Sequence, residues 1–217
     1  NAVSPVFDFS GTETGSAAGA NLFEADNGAT LTFKDRGTSG NLVWSASQSS
    51  FLRAQNGARV TCRRIDSDNS ILAYSGAYVD AEYCNLNGGA FFAQDFARLN
   101  ASHTDVANVS LSGWEASSFA TIYCELSSLS GTKPLYGVRA SSGSEIRFSG
   151  NISGCGTNGA QCTNGAKITL GGGDVNLSGG DDLFVSRGGI ISVSSGTNYS
   201  TSNVAVNALS ANGIIFD

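Results

Sequence analysis

The chain has 217 residues and a formal net charge of −6, and only 14% of its residues are charged. This acidic balance argues against a general affinity for nucleic acid, whose phosphates bind basic surfaces. No run of about 18 apolar residues occurs, so the sequence offers no span for insertion into a membrane. Methionine is absent, and we therefore expect a processed product or a piece of a longer chain.

Residues 1–20 carry no complete copy of the pattern that follows them. Val6, Phe7 and Phe9 form a short apolar run, and a stretch rich in Gly, Ser and Ala comes after it. Stretches of that composition are typical of flexible connections. We expect this segment to be a cap, or a joint to a preceding domain.

From residue 21 onward one short pattern occurs eight times. The first copy, residues 23–33, has two runs of alternating apolar residues that meet at Gly28 and Ala29. Alternation with a period of two predicts strands rather than helices. The hinge of each copy is a glycine in six cases and a phenylalanine in two. These hinges are residues 28, 57, 76, 96, 119, 143, 165 and 188.

The hinges are on average about 23 residues apart, and a period in this range is typical of repeat architectures. Two strands with a sharp corner between them make one coil of a β-solenoid. An antiparallel β-sandwich would also have short strands, but it has no reason to repeat the same corner in phase. The pattern therefore predicts an all-β fold, a single-stranded parallel β-helix of about eight coils over residues 21–193. The usual chirality of parallel crossovers makes it right-handed.

A third strand is expected in each coil, after the second. Its inward-facing candidates are Ile65, Leu86, Val106, Leu129, Ile152 and Val175.

Five cysteines are present, and four of them form two groups. Cys62 and Cys124 are predicted to share one inward column, three coils apart, which is too far for a disulfide. Cys155 and Cys162 are close enough in sequence to form one, although Cys162 also fits a core position. There is no CxxC motif and His103 is the only histidine, so we expect no zinc site. The Gly-rich acidic stretches that end at Asp174 and at Asp182 suggest calcium only faintly, because they lack the regular GGxGxD spacing of calcium-binding repeats. No motif points to a cofactor.

Residues 194–217 depart from the repeat and end on an apolar sequence. Val204 and Val206 alternate with other residues, and Ile214, Ile215 and Phe216 lie next to the last residue. Chain termini usually fray, so an apolar ending should be buried on the last coil or against a partner subunit. We predict that this segment is a capping and oligomerisation tail.

The last 30 residues contain the sequence GGII, a loop rich in Ser, Gly and Thr, and the ending VNALSANGIIF. This segment resembles the C-termini of bacteriophage and prophage tail fibre and tailspike proteins. The likeness is detailed over residues 188–217. The preceding coils resemble the right-handed parallel β-helix region of such proteins. The resemblance implies a homotrimer in the virion tail that contacts other tail proteins and attaches to the host surface. It carries over no catalytic residue.

Outward positions two and four residues after each hinge form two columns on the second strand. Arginine suits phosphate and carboxylate groups, and tyrosine offers sugars a flat apolar face and a hydroxyl. These columns therefore predict a site for an anionic polysaccharide or lipopolysaccharide, although a solvated or trimer-facing sheet would also fit. The first strand is more apolar outside and is the expected trimer contact. The candidate glycan-binding residues are Arg59, Tyr78, Arg98, Tyr123, Arg147 and Lys167.

Glycoside cleavage requires two carboxyl groups about 5 to 10 Å apart. Asp66 and Asp105 are predicted to share a column two coils apart, and so are Glu82 and Glu125. These pairs are the catalytic candidates, but acids are so common in these coils that such pairs also arise by chance. The sequence thus favours a glycan-binding tail fibre or tailspike. The alternatives are a polysaccharide depolymerase on the same scaffold, and an adhesin or filament-forming solenoid on a bacterial cell surface.

Overall fold

A computed structural model describes residues 6–7, 13–14, 21–33, 42–45, 50–131, 134–176, 179–200, 204–206 and 213–216. These residues form a parallel β-solenoid of about seven turns, each of about 23 residues. All pairings between its strands are parallel, and each strand pairs with its counterpart in the next coil. The all-β parallel solenoid predicted from the repeat is confirmed. The described residues contain no helix, and hence no helix that could cross a membrane.

The first strand of each coil stacks into the first sheet. Its strands are Asn21–Ala25, Ser50–Ala54, Ser70–Ala73, Phe91–Gln94, Ser112–Ser117, Tyr136–Ala140, Asn158–Thr163, Leu183–Ser186 and Val204–Val206.

The second and third strands form two further stacks. The second sheet contains Val6–Phe7, Thr30–Phe33, Arg59–Cys62, Tyr78–Asp80, Arg98–Asn100, Lys167–Leu170, Ile190–Val193 and Ile214–Phe216. The third sheet contains Glu13–Thr14, Leu42–Ser45, Ile65–Ser67, Asn85–Asn87, Asp105–Ala107, Gly173–Asn176 and Thr197–Asn198. Two long strands, Thr121–Ser130 and Glu145–Ser153, run round the corner and belong to both sheets.

Each of the eight predicted hinges is a sharp corner between the first and second sheets. The hinge residue has a positive φ, and so has the residue before it, as in Asn27 (52°) and Gly28 (73°). Glycine reaches this left-handed region without penalty, and asparagine tolerates it better than most residues. The corner therefore favours glycine, which occupies six of the eight hinges.

Apolar residues from all three sheets fill the interior in columns that run along the solenoid. Phe91 stacks on Trp114 with ring centroids 6.4 Å apart, and Trp114 meets Phe148 edge-on at 5.2 Å. The six predicted inward residues of the third strand are all buried. Stacking of like side chains in successive coils buries a continuous core, which no single coil could form alone.

Both end segments add strands to these stacks. Near the N-terminus, Val6–Phe7 pairs with Thr32 and Phe33. In the tail, Ile214–Phe216 pairs with residues 190–192, and Val204–Val206 pairs with residues 183–185. Ile215 packs against the core, whereas Ile214 is 45% exposed. The side chains of Val204, Val206 and Phe216 lie outside the described part of the structure.

The five cysteines are buried free thiols. Cys155 follows the third strand of its coil, whereas Cys162 lies within the next strand of the first sheet, where its Sγ donates to the Ile190 carbonyl at 3.3 Å. The disulfide that their short separation allows is therefore not formed. Burial raises the pKa of each of these two thiols to about 12.

Candidate functional site

The outer face of the second sheet carries the first predicted column of side chains. Arg59 is aligned with Tyr78, and Tyr78 with Arg98, in three consecutive coils. The column continues through Thr121, Glu145 and Lys167. Hinge spacing thus predicted the register of this column correctly, because each outward residue lies two positions after its hinge.

Arg59, Tyr78 and Arg98 form a ladder with one polar group per coil, at the usual strand spacing of about 4.8 Å. All three are exposed, Tyr78 to 39%. Neither arginine forms an ion pair with any residue that the structure describes. Partial burial, together with nearby Asp80, raises the pKa of the Tyr78 phenol, so it keeps its proton near neutral pH. The ladder therefore presents two guanidinium groups on either side of a neutral hydroxyl.

Beside the ladder, the positive charge of Arg63 lies next to the carboxylates of Asp80 and Glu82. The buried Asp80 accepts hydrogen bonds from the guanidinium of Arg63, one of them from Nε at 2.9 Å. Arg63 also lies 3.5 Å from Glu82, which accepts a bond from Asn100 at 2.9 Å. Arg63 neutralises the negative charge of Asp80 and Glu82. The positive charges of Arg59 and Arg98 are therefore not neutralised by these acids.

Further along the second sheet, charges of both signs alternate. The guanidinium of Arg147 lies 5.3 Å from the ring centroid of Tyr123, and its Nε donates to Glu145 at 2.9 Å. Glu145 raises the pKa of Arg147. Lys167 is aligned with Glu145 in the next coil and is exposed. This half of the face is therefore closer to neutral than the ladder.

The candidate acids Asp66 and Asp105 do share a column, on the third sheet. Asn85 lies between them in the pairing, which places them two coils apart. Asn85 donates to Asp66 at 2.7 Å, and Ser128 donates to Asp105. Both acids line a shallow depression of about 270 Å³. Their hydrogen bonds join neighbouring coils, a structural role that accounts for polar residues in this column.

The second acid pair is separated by a buried serine. Glu82 belongs to the Arg63 cluster, while Glu125 is exposed beside Arg147 in a depression of about 300 Å³. Between their coils, the Ser102 hydroxyl accepts a hydrogen bond from the Glu125 amide at 3.3 Å. The two carboxylates thus stand in different surroundings, and Glu82 is already engaged by a cation.

The first sheet carries an apolar outer face. Tyr74 lies 5.5 Å from Phe92, and the guanidinium of Arg53 lies 5.2 Å from the Tyr74 ring. Together with Leu72 and Leu111 these aromatic residues line a groove of about 320 Å³. This is the face on which the sequence predicts a trimer contact.

Sequence reasoning missed the aromatic residues on the corners that border the second sheet. Phe96 and Phe119 occupy hinges at φ 63°, although a bulky residue costs about 1–2 kcal/mol there. On the opposite corner, Tyr83 stacks on His103 at 4.7 Å, and Arg64 lies 4.5 Å from the Tyr83 ring. The sequence did contain a signal for Phe96 and Phe119, because these two hinges carry phenylalanine where the other six carry glycine.

Comparison of the chain with protein-family models, with curated proteins and with solved structures finds no match.

Proposed function

We propose that this chain is the glycan-binding β-solenoid of a bacteriophage or prophage tail fibre or tailspike. Its second sheet would bind an acidic polysaccharide or lipopolysaccharide of the host surface. The observation that carries the proposal is the ladder of Arg59, Tyr78 and Arg98, an exposed set of cations and a hydroxyl held at fixed spacing. The tail-fibre context rests on the resemblance of residues 188–217.

The chemistry of the ladder fits an acidic sugar chain that crosses the coils. Arginine holds carboxylate and phosphate groups through paired hydrogen bonds. The Tyr78 hydroxyl lies between the two arginines and can donate to, or accept from, a sugar hydroxyl. Because the three side chains stand on hydrogen-bonded strands, little ordering of the backbone is needed when the ligand binds.

Binding without cleavage is the form of the proposal that the contacts favour. Asp80 and Glu82, the acids beside the ladder, are both compensated by Arg63. On the third sheet, Asp66 accepts a hydrogen bond from Asn85, and Asp105 accepts one from Ser128. We therefore propose attachment as the function of this chain.

The test is a binding titration of the purified chain with lipopolysaccharides, alginate, hyaluronate and polygalacturonate, with dextran as the neutral control. We expect at least one acidic polymer to bind, and its affinity to fall as salt is added. Replacing Arg59 and Arg98 by serine should weaken binding at least tenfold, since a hydrogen bond to a charged group is worth about 1.5–3 kcal/mol. Unchanged affinity in this variant would refute the proposed site.

Arg187→Asn is the matched control, because it removes one exposed positive charge from a distant corner. Arg187 has φ 49°, which asparagine accepts readily. If this variant lost as much affinity as a single substitution in the ladder, the binding would depend on net charge alone. If no acidic polymer bound the wild-type chain, the proposed function would be wrong.

The homotrimer is a second part of the proposal, and the apolar outer face of the first sheet supports it. Leu72, Tyr74 and Phe92 line a groove on that face. Exposed apolar surface of this kind marks contacts between proteins more often than ligand sites. Light scattering should give a trimer for the whole chain and a smaller species after removal of residues 204–217. A monomer before truncation, or an open-ended polymer, would favour the adhesin or filament alternative.

A further inference from the structure

Two exposed phenylalanine rings stand on the corner that borders the ladder. Phe96 is 69% exposed and Phe119 is 61% exposed, and both are held in the left-handed region. Glycine would fit these hinges without strain, as it does at the other six. Neither ring is buried in the core, so packing of the solenoid does not explain why a strained aromatic residue occupies each position.

The two rings form a stack that runs along the solenoid. Their centroids are 5.4 Å apart and their planes differ by 9°. Phe119 in turn lies over the next hinge, Gly143, where an added Cβ would come within 2.5 Å of its ring. Each ring therefore leans towards the coil that follows it in the chain.

Because the Phe96 ring leans towards the following coil, one of its two faces stays open. Its other face is covered by Phe119, and the open face is directed towards the preceding hinge, Gly76. A Cβ added at Gly76 would have no atom within 4 Å. The stack thus ends at a free aromatic face above a corner without a side chain.

Residues of the ladder follow this corner in both coils. Tyr78 follows Gly76 by two residues in the same coil, and Arg98 follows Phe96 by two residues in the next. The first outward residues after the corner therefore carry a phenolic hydroxyl and a guanidinium group, and that guanidinium has no ion-pair partner among the described residues. A pyranose ring matches this set, because it has an apolar C–H face and hydroxyl groups at its rim.

We infer that the free face of Phe96 above Gly76 is a stacking subsite for one pyranose residue of an acidic glycan. The sugar ring continues the Phe119–Phe96 stack by one coil, and its acidic group is bound by Arg98. The inference rests on the proposed function, and it adds a subsite on the corner that the ladder alone does not include. It also gives the strained hinges a role in ligand binding.

The test compares Phe96→Gly and Gly76→Asn with the wild-type chain in titrations with the acidic polymer that binds best. Phe96→Gly removes the stacking face and leaves the hinge residue that most coils already carry. Gly76→Asn keeps a residue that tolerates positive φ and fills the vacant position with a side chain. We expect about tenfold weaker binding from each variant.

Gly165→Asn is the matched control for the second variant. Gly165 has the same φ of 73° as Gly76, and an added Cβ would also have no atom within 4 Å. This substitution therefore repeats the change of conformation and volume at a hinge far from Phe96. We expect it to leave the affinity for the polymer unchanged.

Several outcomes would overturn the inference, and they differ from failure of the proposed function. If Arg98→Ser weakened binding while Phe96→Gly and Gly76→Asn did not, the ladder would bind glycan and the subsite would be wrong. If Phe96→Gly reduced the mass of the oligomer in solution but not the affinity, the stack would be a contact between subunits. Absence of any binding by the wild-type chain would refute the proposed function itself.

Discussion

The solenoid requires a positive φ at some glycines and, at others, also a close approach of the neighbouring coil. Two glycine-to-alanine substitutions measure these two effects separately. Gly165 and Gly150 both have positive φ, at 73° and 127°. A Cβ at Gly165 would meet no atom within 4 Å, whereas one at Gly150 would lie 1.9 Å from the Ser127 carbonyl oxygen. Gly165→Ala therefore changes only the conformational preference of one residue, while Gly150→Ala also forces two coils apart.

The expected losses of stability follow from these distances. The left-handed conformation costs an alanine about 1–2 kcal/mol, which is the whole effect expected for Gly165→Ala. Gly150→Ala adds the cost of overpacking, typically about 1–3 kcal/mol. That substitution also strains the bond of 3.1 Å from the Gly150 amide to the Gly172 carbonyl. We therefore expect Gly150→Ala to lose about 2–5 kcal/mol in total.

Urea unfolding followed by tryptophan fluorescence measures both losses under the same conditions. The midpoint should move slightly for Gly165→Ala and much further for Gly150→Ala, with similar slopes. Equal losses would show that the coils do not approach each other at Gly150 as closely as described. A stability gain in Gly165→Ala would show that its corner does not require the left-handed conformation.

Three further predictions concern buried polar groups and thiols. Arg63→Ala should destabilise the fold by about 1–3 kcal/mol because it leaves the buried Asp80 without its cation, and Asp80→Asn should restore part of this loss in urea unfolding. All five thiols should resist an aromatic disulfide reagent in the native state and react in denaturant without reductant, whereas three reactive thiols would indicate a disulfide. Because burial raises the pKa of Cys155 and Cys162 to about 12 from 9.0, stability should fall as pH rises from 9 to 12, and alanine at both positions should reduce that slope.

The coil pattern could be predicted because residues close together in the sequence determine both the corner and the strand period. A hinge that needs positive φ selects glycine, and two residues later an outward position begins the next strand. This phase is enough to align Arg59 with Tyr78 and Arg98 from the sequence alone. The third strand could be located only by its apolar residues, since its corner carries no regular glycine.

The tail was predicted less well, although its sequence holds a clear signal. Gly189 is followed by two isoleucines, and so is Gly213. The structure pairs these isoleucines with each other, Ile190 with Ile214 and Ile191 with Ile215. The end of the chain therefore repeats the coil pattern. The polar loop between the two copies hides their common phase in the sequence.

The corner aromatic residues could not be predicted from hydrophobic periodicity. Tyr83 and His103 stack because the corner between the second and third sheets places them at positive φ in neighbouring coils. Neither residue is glycine, which is the usual mark of that conformation in a sequence. Such residues become visible only when the coils are stacked, and they are the groups that border the proposed site.

The most direct test of the account is to map the bound glycan by backbone amide NMR of the chain, titrated with its best acidic polymer. We expect the largest shifts at Arg59, Tyr78 and Arg98 and at the hinges Gly76 and Phe96. Shifts confined to the apolar first sheet, or to the depression between Asp66 and Asp105, would contradict it.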